Sequence, residues 1–174
     1  MRETLRFVLW FFLAYLLLSL ESPMLTSFHI RMYAPDPALA VVVYAAATMS
    51  FLPGILLSAC LGLLRDGFSG GVPVGMYVEI YALIFMVCYA VARRLDYRNV
   101  VLMTLATLGA SLLASLLFFV LSAIFDRDFE EFDMIFRLAI PQALITAPMG
   151  PIVAGILLWL DERIMSTERD GQFK

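Results

Sequence analysis

From Ala38 to Leu64 the chain runs for 27 residues without a charged side chain. That stretch constrains the fold more than any other. An apolar run needs about 20 residues to cross a bilayer as a helix. Twenty-seven exceed one upright crossing and fall short of two full ones. Pro53 lacks a backbone donor and Gly54 loosens a helix, so a turn between Met49 and Gly54 is one reading and a single kinked helix is the other.

The rest of the chain has the same character. Of its 174 residues, 62% are hydrophobic and 16% charged, and the charges cluster between apolar runs. This composition belongs to a membrane protein and leaves no room for a sizeable water-soluble domain. A net charge of −3, with no dense run of Lys and Arg, argues against nucleic acid as a partner. The lipid bilayer is the surrounding partner that this composition requires.

Loop charges choose between the two readings of the uncharged run. With a turn there, six crossings place Arg2, Arg6, Arg93, Arg94, Arg98, Arg163, Arg169 and Lys174 in the cytoplasm, and Arg31, Arg65, Arg127 and Arg137 outside. A kinked single helix gives five crossings and reverses the bias, so the positive-inside rule favours six with both termini cytoplasmic. The expected arrangement is one integral membrane domain, with spans at about 5–20, 38–50, 51–65, 72–92, 99–125 and 134–160.

Several features sharpen individual spans. The first begins with basic residues and runs apolar to Leu20, but Glu21, Ser22 and Pro23 follow in place of a small-residue cleavage site, so an uncleaved helix and then a loop are expected. In the fifth, Thr107, Ser111 and Ser115 recur every four residues, as do Ala106, Ala110 and Ala114, which predicts close helix contact and a central position. Pro141, Pro148, Gly150 and Pro151 predict a kinked or broken last span.

Catalysis has little to work with here. The expected spans hold no histidine, and Cys60 and Cys88 have neither a CxxC spacing nor a nearby His, so no metal site, cofactor or acid–base pair is indicated. The glycines at 67, 70, 71 and 75 follow no strand and lack GxxxxGK, so they are read as turn residues with positive φ rather than a phosphate loop.

The candidate partner or pocket residues are Gly54, Ser58, Gly62, Arg65, Asp66 and Glu79. The first three, spaced by four, share one helix face and permit close approach of another helix, within this bundle or from a partner protein. Arg65 and Asp66 close that helix. Glu79 lies about seven residues into the next one, roughly 10 Å deep, and a carboxylate there serves either function or a structural bond to Tyr77, Tyr81 or a hydroxyl elsewhere.

PDPALAVVVY (Pro35 to Tyr44), FLPGILLSACLGLLRDGFSGG (Phe51 to Gly71) and VPVGMYVEIYAL together resemble the bacterial rod shape-determining MreD family. Its members start the second span with a Pro-Asp pair and carry a turn motif that falls here on Leu63, Leu64, Asp66, Phe68, Ser69, Gly70 and Gly75. The resemblance implies an all-α bundle of six membrane helices, similar to the substrate-binding subunits of energy-coupling factor vitamin transporters. It implies a non-enzymatic scaffold of the cell-elongation machinery in the cytoplasmic (inner) membrane. Its expected partners are an MreC-like membrane-anchored protein, the MreB-like filament, and the glycosyltransferase and transpeptidase of side-wall peptidoglycan. The alternative is a vitamin-binding transporter subunit with Glu79, Tyr81, Gln142 and Thr146 lining a pocket. Helix one counts against it, because Ala14 is the only small apolar residue there and such subunits dock through an AxxxA-type face.

Overall fold

The structure is a computed structural model that describes residues 2–28, 35–69, 75–92, 99–125 and 132–171. The expected loop with His29 and Arg31, the expected turn residues Gly70 and Gly71, and the basic residues Arg93, Arg94, Arg98, Arg127 and Lys174 lie outside the described residues. Among the described residues the chain is entirely helical: α1 Arg2–Phe28, α2 Pro37–Thr48, α3 Phe51–Ser69, α4 Met76–Ala92, α5 Val100–Phe125, α6 Phe132–Thr146 and α7 Met149–Gly171.

Among the described residues, three stretches are long and apolar enough to cross a membrane: Phe51–Phe68, Val100–Ile124 and Ala139–Arg163, the last of which contains the α6/α7 break. Thr4–Ser19, Pro37–Thr48 and Met76–Ala92 are shorter apolar helices.

The uncharged run is broken at Met49 and Ser50, where Met49 takes an extended conformation (φ −96°, ψ 158°) and its N–H still donates to Ala45 O at 2.9 Å. Pro53 falls in the first turn of α3, where its missing N–H has no helical partner to lose. The proline that marks the region therefore sits just past the break.

The centre of the bundle is α2, not α5. Every residue from Pro37 to Ala46 is buried, and α2 touches α1, α3, α4, α5 and α7. Its sequence explains the position: PALAVVVYAAAT is apolar on every side and rich in alanine, so neighbours can close in from all directions. Helix α5 carries its small face inward at Met103, Thr107, Ala110 and Ser111 and leaves Leu105, Leu112 and Leu116 exposed, which places it at the periphery.

Helix α1 runs past the expected end at Leu20 to Phe28, through Pro23. A proline removes one donor and bends a helix, but does not by itself end one. Trp10, Ala14 and Leu18, each four apart, form its buried stripe. The expected last span divides into α6 and α7 at Ala147 and Pro148. There Gly150 packs so closely on α5 that an added Cβ would collide with Thr107 Oγ1.

In a bilayer, burying apolar surface between helices gives little net driving force, so close packing and internal hydrogen bonds hold such a bundle together. Both concentrate where α3 meets α4. A Cβ on Gly62 would lie 2.5 Å from Val78 Cα and 2.6 Å from Tyr77 O, and one on Gly54 would strike the Phe85 ring. Ser58 between them is fully buried and donates to Gly54 O at 2.9 Å.

Candidate functional site

Two aspartates organise one end of the bundle. Asp36 precedes α2 and acts as its N-cap: its Oδ1 accepts from Leu39 N–H at 3.1 Å, with Pro37 at the first helical position. This is the local chemistry expected of an Asp-Pro pair at a helix start. Its other oxygen, Oδ2, accepts from Tyr81 OH of α4 at 2.6 Å, and its backbone N–H donates to Thr146 Oγ1 at the end of α6 at 3.2 Å. Asp36 is 6% exposed, and Tyr81 and Thr146 are fully buried. One residue thus ties together segments 45 and 110 positions away.

Asp66 makes the adjoining connection. Its Oδ2 accepts from Gly75 N–H at 2.8 Å and its Oδ1 from Tyr77 N–H at 3.0 Å, so a side chain of α3 satisfies donors at the start of α4. Gly75 has φ +104°, a conformation that a side chain strains. The Tyr77 ring links the two aspartates: it meets Tyr81 edge-on at 6.1 Å, lies 5.9 Å from Phe118 and takes the Arg65 guanidinium at 5.8 Å.

These contacts revise the sequence-based expectations. Arg65 and Asp66 lie inside α3, which continues to Ser69, and Gly67 is helical rather than a positive-φ turn. Gly54, Ser58 and Gly62 are buried against α4 and its own residues, so their face is occupied from within the chain. Glu79 is in the first turn of α4, three residues past Met76 and about 4.5 Å along the axis, and it is exposed. It bonds neither Tyr77 nor Tyr81, because residues two apart on a helix point about 200° apart. Tyr81 faces the core and Glu79 faces out.

The carboxylate that matters inside is Asp36. It is not among the candidate residues read from the sequence. An Asp followed by Pro at the head of an apolar run is the signal that points to a cap there, but no sequence rule pairs it with Tyr81 and Thr146. Chemically, the arrangement holds an anion by two donors and the positive end of α2, which positions chain segments. Among the described residues, no group of three His, Cys, Asp or Glu could hold a metal, and Cys60 and Cys88 are free and half-buried.

A second polar site lies towards the opposite end. Tyr44 is eight residues beyond Asp36 along α2, about 12 Å, and its ring packs on Trp10 at 5.3 Å. One turn before Trp10 on α1, Arg6 Nε pairs with Asp161 Oδ1 of α7 at 3.1 Å. Arg163 lies over the Trp159 ring at 5.1 Å.

The family model for the rod shape-determining protein MreD matches residues 1–160. The chain belongs to the MreD family. Membership makes it a membrane protein with a role in rod shape determination. No curated protein and no solved structure matches the chain. In this MreD-family chain, Asp36, Tyr81 and Thr146 form a buried polar cluster at one end of the bundle, and Asp66 fixes the α3–α4 corner beside it.

Proposed function

We propose that this MreD-family chain is a non-enzymatic scaffold of the cell-elongation machinery, in the cytoplasmic (inner) membrane. It binds the membrane anchor of an MreC-like protein and so supports side-wall peptidoglycan synthesis beside the MreB-like filament, the glycosyltransferase and the transpeptidase. In this reading the chain crosses the bilayer six times, through α1, α2, α3, α4, α5 and the α6–α7 pair, with both termini cytoplasmic.

The observation that carries the proposal is the family match over residues 1–160. Two further points support it. The charge distribution follows the positive-inside rule for six crossings. The buried polar groups around Asp36 are engaged with one another, which suits a rigid positioning body.

The test is depletion of the protein in its host, with microscopy of cell shape and a pull-down of the tagged chain from the same strain. Rounded cells and retention of an MreC-like protein are the expected result. Normal shape with recovery of transporter ATPase subunits would replace the scaffold by the vitamin-transporter reading.

A further inference from the structure

Among the described residues, helix α4 gives one side to α2, α3 and α5 and leaves the other uncovered. Along the open side lie Glu79, Leu83, Met86, Val87 and Ala90, at the 4-3-1-3 spacing of one helical face. Four of the five are apolar, as a lipid-facing surface requires. Glu79 is the exception. Among the described residues, no ion pair or hydrogen bond reaches its carboxylate.

The depth of Glu79 makes this significant. Helix α4 has 17 residues and is about 25 Å long, shorter than the roughly 30 Å of a hydrocarbon core. If it crosses the membrane centred, its first turn lies below the headgroups, and Glu79 is some 7 Å inside. A carboxylate facing lipid at that depth is costly, and such residues pair with a group of opposite charge or a strong donor. Among the described residues the other sides of α4 are taken by α2, α3 and α5, and the open side leaves room for a pairing group from another chain.

We infer that the Glu79–Leu83–Met86–Val87–Ala90 face of α4 docks a transmembrane helix of a partner protein that carries a Lys or Arg level with Glu79. The cation neutralises the carboxylate, and the apolar residues below it form the rest of the contact. A second copy of this chain is the wrong occupant, because a two-fold contact would set Glu79 against its own equivalent. The inference rests on the scaffold reading for one point only, that the helix belongs to the MreC-like anchor.

The experiment uses the full chain in its host, with a benzophenone-bearing amino acid at Met86, or at Phe12 on the exposed face of α1 as a control. After irradiation, adducts are identified by mass. The expected result is a protein adduct at Met86 and not at Phe12, reduced at least tenfold by Glu79→Lys, weakened by Glu79→Gln, and restored when the partner's Lys or Arg is changed to Glu. Capture of the MreC-like protein in this way supports both proposals. Capture of a different protein with the same charge dependence keeps the docking face and overturns the MreC-like assignment. Lipid adducts alone, a second copy of the chain, or a protein adduct indifferent to Glu79→Lys overturns the docking face, and pull-down of the MreC-like protein in that case leaves the scaffold reading intact.

Discussion

Asp36 and Asp161 are both buried carboxylates towards opposite ends of the bundle, yet they are held differently. Asp36 is gripped by a backbone N–H of its own helix and a phenol from α4, while its N–H reaches a hydroxyl from α6. Among the described residues Asp161 faces one guanidinium, on an Arg6 side chain that is 30% exposed. The first arrangement aims donors from two helices at one carboxylate, while the Asp36 N–H donates to a third, and so fixes those elements relative to one another. The second is an ion pair at the margin, where solvent and headgroups screen the charge and a mobile side chain must be held in place. Location alone therefore does not make a buried carboxylate structural; the number of elements it joins does.

The largest expected effect comes from separating α3 and α4 beside the Asp36 centre. Gly62→Leu places side-chain atoms where Val78 Cα and Tyr77 O now sit, and moving backbone there should cost about 3 kcal/mol or more. Unfolding in detergent should show a marked loss of stability, whereas Gly67→Ala, with open space around it, should show almost none. Equal effects would mean that the close α3–α4 approach does not hold this end.

Next in size, Asp36→Ala removes a helix cap and the acceptor for Tyr81 OH together, an expected loss of about 2–4 kcal/mol. Asp161→Ala should cost about 1 kcal/mol or less, because Arg6 can turn to solvent or headgroups. Parallel denaturant titrations decide the matter, and a larger loss for Asp161 would reverse the contrast between the two ends.

Smaller again, Tyr81→Phe keeps the ring and deletes the donor, for a loss of about 1–2 kcal/mol. Combined with Asp36→Asn in a double-mutant cycle, it should show coupling of at least about 0.5 kcal/mol; simple additivity would mean that the 2.6 Å contact contributes nothing of its own. The smallest effect on stability is that of Glu79→Gln, within about 0.5 kcal/mol, since the side chain faces out of the bundle. A large loss there would show a structural partner for Glu79 within the chain.

Much of this could be read without coordinates. The helical class follows from apolar run length. The uncharged run admits a turn or a kink, and loop charges favour the turn. The division of the last span follows from three prolines and a glycine within eleven residues, Pro141 to Pro151. The family resemblance was carried by short motifs around Asp36 and Asp66. Less legible were the helix ends: α1 continues through Pro23 and α3 through Gly67, because a single proline or glycine inside an otherwise apolar run weakens a helix without stopping it.

What the sequence determined by itself is local: which segments are helical and where a backbone donor is missing. These depend on residues within a turn or two of each other, so neighbours along the chain suffice. Only the tertiary structure decided that α2 is the hub, that Gly54, Ser58 and Gly62 face α4, and that Asp36 is buried while Glu79 is exposed. Hydropathy treats all sides of a helix alike, and burial depends on how each helix is rotated about its axis. That rotation is set by packing against residues tens of positions away, as when Tyr81 turns inward to Asp36 and thereby turns Glu79 out.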